Sequence, residues 1–114
     1  MARVIFDMKQ GDLKPALQVT LKDGDGVAVN VTGATVKFSM RNQATRALKI
    51  NEGTVTLVTA ASGIVRYDWV AGDTDTPGLY DAEFEVTYAG PAGPETFPNN
   101  DEHFFTVRVN REIA

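Results

Sequence analysis

The stretch Asp73-Thr74-Asp75-Thr76-Pro77-Gly78-Leu79-Tyr80-Asp81-Ala82-Glu83-Phe84-Glu85-Val86-Thr87-Tyr88 joins a turn, a tyrosine and a strict in/out alternation within sixteen residues. A turn followed by a Tyr at the mouth of a late strand is the pattern of a corner in which the hydroxyl bonds back to the preceding backbone. Two positions on comes the residue that meets the opposite sheet. Ala82 takes that place, with Phe84 and Val86 behind it on the buried side and Asp81, Glu83 and Glu85 facing water. The stretch therefore predicts a late strand of an immunoglobulin-like β-sandwich.

Working outward, the same period of two recurs along the chain, and no long window carries helical periodicity. Residues 3–8 read as a first strand. In 16–22, Leu17, Val19 and Leu21 share one face, and Asp23-Gly24-Asp25-Gly26 then supplies a tight turn into 27–31. In 34–41, Val36, Phe38 and Met40 oppose Thr35, Lys37 and Ser39. Residues 42–46 form a polar loop, and 47–51 with 54–59 read as a hairpin around Glu52-Gly53. Residues 60–63 form a loop or one helical turn. Tyr67 and Trp69 face inward from a strand over 64–70, a short return strand covers 95–98, and Phe105, Val107 and Val109 mark the last strand. The expectation is one all-β domain over 1–114, with seven to nine strands in two antiparallel sheets and Greek-key connections.

The chain has 114 residues, enough for a single core, with 43% hydrophobic and 23% charged residues. It contains no cysteine, which excludes disulfides, thiolate metal sites and cysteine nucleophiles. Eleven basic residues are scattered among fifteen acidic ones for a net charge of −4, so no cationic stripe is available for phosphates and no nucleic-acid partner is expected. Between Arg3 and Asp7 the apolar run is three residues, far short of a membrane span or a signal core, so no membrane partner is expected and synthesis is assigned to the cytoplasm.

No reactive constellation emerges. Asp23-Gly24-Asp25-Gly26 lacks the closing carboxylate of a twelve-residue calcium loop and reads as a hairpin turn. Asp73 and Asp75, which Asp101 could join at one end of the sandwich, suit an ordinary corner before Gly78. His103, the only histidine, would have to recruit Ser39 or Ser62 from unrelated positions to form a Ser-His-Asp site. Catalytic, metal and cofactor residues are therefore all assigned as none. Tyr67, Trp69 and Tyr80 are aimed at the core rather than at a sugar.

Gly11-Asp12, Pro15-Ala16-Leu17, Leu21-Lys22-Asp23, the run 31–40, Gly63-Ile64-Val65-Arg66-Tyr67-Asp68-Trp69, Asp75-Thr76, Gly78-Leu79-Tyr80 and Thr96-Phe97-Pro98 together resemble the N-terminal domain family of phage baseplate upper proteins. The resemblance runs from about Gly11 to Val109, mostly through turn glycines and core positions. It implies a β-sandwich serving as a structural part of a tailed-phage virion, in the tail, baseplate, neck or capsid surface. Its partners would be other virion proteins, with copies of itself as a further possibility, and no catalytic residue is carried over. Candidate partner-binding residues are Arg3, Val4, Ile5 and Phe6, in an amino-terminal strand able to add to a partner sheet. Arg41, Arg46 and Lys49, the one modest basic cluster, complete the set. The alternative is a carbohydrate- or receptor-binding module using the end loops 71–77 and 98–103 for host attachment.

Overall fold

The computed structural model describes residues 5–90, 93–97 and 105–113. Nine strands are found among them: β1 Ile5–Lys9, β2 Leu17–Thr20, β3 Thr35–Asn42, β4 Leu48–Thr54, β5 Thr56–Thr59, β6 Ile64–Tyr67, β7 Gly78–Thr87, β8 Pro94–Phe97 and β9 Phe105–Asn110. One sheet runs β1-β9-β7-β3-β4, and the other runs β2-β6-β5. β3 pairs along β7 from Tyr80 to Thr87. β9 takes the first half of the opposite edge of β7 and β8 the second half. β2, β6 and β5 thus stand where strands B, E and D stand in an immunoglobulin domain, and β3, β7 and β9 where C, F and G stand, with β4 beside C. The fold is an immunoglobulin-like β-sandwich.

One expected feature is corrected. The sheets are not wholly antiparallel, because β1 pairs with β9 in parallel, Ile5 opposite Thr106 through Lys9 opposite Asn110. The crossover from β1 to β2 carries the chain from one sheet to the other, which leaves β1 as an edge strand beside the last strand rather than a hairpin partner of β2.

The core is the layer between the sheets. Val36, Phe38 and Met40 of β3 and Tyr80, Ala82, Phe84 and Val86 of β7 are buried against Leu17, Val65 and Tyr67 of the smaller sheet and against Trp69. Tyr67 stacks on Phe38 at 4.5 Å between ring centroids, and Trp69 meets both edge-on. β6 ends at Tyr67, three residues short of the strand expected over 64–70, so Trp69 lies just beyond it. It stays buried because its indole Nε1 donates to the Pro15 carbonyl at 3.1 Å. The corner expected at Tyr80 is present: its hydroxyl donates to the Thr76 carbonyl at 2.6 Å.

Two local readings change. Glu52-Gly53 does not turn a hairpin. β4 runs through it with a register shift against β3, Glu52 at φ 55, and β5 then lies in the other sheet. A Cβ on Gly53 would stand 2.7 Å from Tyr67 Cε1, so the glycine is required by the ring that lies across it rather than by a turn. After the turn at Asp23, residues 27–31 make only an isolated bridge, Lys22 to Ala28. Val27 is left 60% exposed while Val31 is fully buried. Residues 60–62 form a single 3-10 turn closed by Gly63 in the left-handed region.

Candidate docking face on the larger sheet

The side of the larger sheet turned away from the core is built by the alternation that builds the core. With Val36, Phe38 and Met40 inward, β3 presents Lys37, Ser39 and Arg41 outward; with Ala82, Phe84 and Val86 inward, β7 presents Asp81, Glu83 and Glu85. The pairing sets these side by side: Lys37 opposite Glu85, Ser39 opposite Glu83, Arg41 opposite Asp81. A basic column thus runs beside an acidic one. At the level of Asp81 the row continues across β1, β9, β7, β3 and β4 as Ile5, Thr106, Asp81, Arg41 and Leu48.

Charge and burial along this face are uneven. Arg41 reaches Asp81 at 3.5 Å, and the Asp81 side chain, 10% exposed, also accepts from Gln43 Nε2 at 2.9 Å. The expectation that Asp81 simply faces water is therefore corrected, since flanking side chains enclose it. Lys37 and Glu83 are half-buried, Glu85 is exposed, and none of the three has an ion pair among the described residues. The Thr106 hydroxyl is buried without a hydrogen-bond partner among the described residues. Leu48 and Ile5, at the two ends of the row, are 60% and 48% exposed. A shallow depression of about 140 Å³ lies between β3, β4 and β7, bordered by Ser39, Arg41, Leu48, Asp81 and Glu83.

Of the residues singled out from sequence, Arg3 and Val4 lie outside the described residues. Ile5 sits on the outer face, and Phe6 turns inward, its ring 6.2 Å from that of Trp69. β1 is already paired to β9 on one edge and heads the sheet, which leaves its other edge without a neighbouring strand among the described residues. Its attachment is reinforced by Asp7, whose carboxylate is held below the usual range by hydrogen bonds from Arg108 and Asn110. The basic cluster disperses. Arg41 joins the outer face, Arg46 occupies an exposed turn at φ 66, and Lys49 turns to Asp75 at the second register shift of β4. Asp75 is held low by that Lys49 contact and by Thr76.

The end loop at 71–77 is occupied with its own structure. Asp73 accepts from the Tyr67 hydroxyl at 2.7 Å and from the Val70 amide at 2.8 Å. Desolvation, aided by Asp73, pushes the Tyr67 phenol up. Tyr88 is half-buried, and desolvation with its bond to Glu95 pushes it up to about 12. Asp23 accepts from the amides of Asp25 and Val27 within its turn. Asp101, His103 and the loop at 98–103 lie outside the described residues. No group of three His, Cys, Asp or Glu side chains placed to hold a metal occurs among the described residues, and no helix there is long and apolar enough to cross a membrane.

Compared with known protein families and with curated proteins, the chain matches none.

Proposed function

We propose that the protein is a structural component of a tailed-phage virion that works by docking on neighbouring proteins, and not by catalysis. The observation that carries the docking reading is the outer face of β3 and β7: half-buried Lys37 and Glu83 without ion pairs among the described residues, on a pleated surface rimmed by exposed Leu48 and Ile5. Unpaired charge that is partly desolvated favours a complementary surface, because the unfavourable part of burying it has already been incurred. The likeness of the turn and core residues between Gly11 and Val109 to phage baseplate upper proteins supports the virion setting. A rigid sandwich repeated around a symmetric particle turns weak contacts of this kind into a stable assembly.

The carbohydrate- or receptor-binding reading has less support, since Tyr67, Trp69 and Tyr80 are in the core and Asp73 and Asp75 are bonded within the protein. Mass spectrometry of purified particles tests the proposal. The protein is expected at a fixed copy number relative to the other virion proteins, and its absence from washed particles would contradict the reading. Binding of the isolated domain to a glycan array, without incorporation into particles, would favour the alternative.

A further inference from the structure

The two charged columns have a symmetry property of their own. The acidic column of β7 and the basic column of β3 are adjacent strands in register. A two-fold axis laid along the seam between them, in the plane of contact, exchanges the strands and keeps each residue at its own height. Asp81 of one copy then faces Arg41 of the other, and Glu85 faces Lys37, each contact occurring twice. The same operation carries β4 over the opposite edge of β7, so that exposed Leu48 meets the level of Thr106 on β9, and Thr54 meets Thr96 on β8.

We propose that a second copy of this chain covers the outer face, forming an isologous dimer about that seam. The proposal deepens the docking reading by naming the partner. What favours a second copy over an unrelated protein is this self-complementarity. A surface carrying only one sign would need a different partner, whereas adjacent columns of opposite sign in register satisfy each other under a two-fold. Lys37, Glu83 and Glu85 carry no ion pair within the described residues even though Lys37 and Glu85 are direct cross-strand neighbours, so their charges are available to the second copy. Two such faces pack with strands nearly aligned, the ordinary arrangement of stacked sheets. The five strands span about 20 Å at ~4.8 Å spacing. This is a small interface, and a dissociation constant on the order of 10 to 100 µM is expected, weakening with added salt.

Sedimentation velocity on the purified chain tests this with charge reversal. The native protein is expected to shift from monomer to dimer as concentration rises through that range. K37E and E85K are each expected to remain monomeric, because each sets like charges against each other twice across the two-fold. An equimolar mixture of K37E and E85K is expected to recover the dimer, since in the mixed pair both contacts are again of opposite sign. L48D, at a site too exposed to threaten folding, is expected to weaken the dimer at least ten-fold. Circular dichroism melts confirm that each variant is folded. Native protein that stays monomeric up to about 500 µM, a mixture that fails to recover, or an unaffected L48D would each overturn the pairing. A monomer in solution that is nonetheless present in particles would sink the self-pairing alone and leave the docking reading standing.

Discussion

β3 and β7 carry two different messages on their two faces. Inward, Val36, Phe38 and Met40 meet Ala82, Phe84 and Val86 in a layer that water does not reach. Outward, the intervening residues alternate in charge from one strand to the next and are only partly covered. The backbone hydrogen bonds are common to both faces, so the difference is wholly one of side chains. Stability belongs to the inner face, where apolar area is removed from water, and the proposed docking uses the outer one, where charge is left to be matched.

Substitutions that separate the two faces give the sharpest contrast. Phe38→Ala removes a fully buried ring that contacts Tyr67, Trp69 and Phe84, and a loss of about 3 to 5 kcal/mol is expected in chemical denaturation. Gly53→Ala puts a methyl group against the Tyr67 ring and should cost roughly 1 to 3 kcal/mol, with near-ultraviolet dichroism reporting the disturbed ring stack. Tyr80→Phe keeps the ring and deletes the bond to Thr76, for about 1 kcal/mol in the same denaturation assay. Lys37→Glu, on the outer face of the same strand as Phe38, should change stability by no more than about 1 kcal/mol, the size of a cross-strand pair, while abolishing self-association. A Lys37→Glu variant that unfolds like Phe38→Ala would erase the distinction between the faces.

Much of the inner face is legible in the sequence. The period of two in 34–41 and in 80–88 names the buried residues correctly, and the Tyr80 corner follows from the turn before it. What escaped depends on distant parts of the chain. Glu52-Gly53 looks like a hairpin turn because nothing nearby in sequence announces the Tyr67 ring across it. The parallel pairing of β1 joins Asp7 to Arg108, at opposite ends of the chain, with no local signal. The outer face was half legible. Alternation puts Lys37, Arg41, Asp81, Glu83 and Glu85 outside, but only the register shows that the two signs stand side by side, and that is why Asp81 is enclosed rather than solvated. Grouping Arg41, Arg46 and Lys49 by nearness in sequence misled for a related reason, since a turn and a register shift send them in three directions.

Covalent footprinting of amines and carboxylates in the assembled state is the most direct test of the claim that the outer face of β3 and β7 is where this protein meets its neighbours. Labelled free and again within native particles, Lys37, Glu83 and Glu85 should lose reactivity together, while Lys22 beside the Asp23 turn keeps its own. Unchanged labelling of Lys37, Glu83 and Glu85, with protection appearing instead around residues 71–77 at the end of the sandwich, would contradict it.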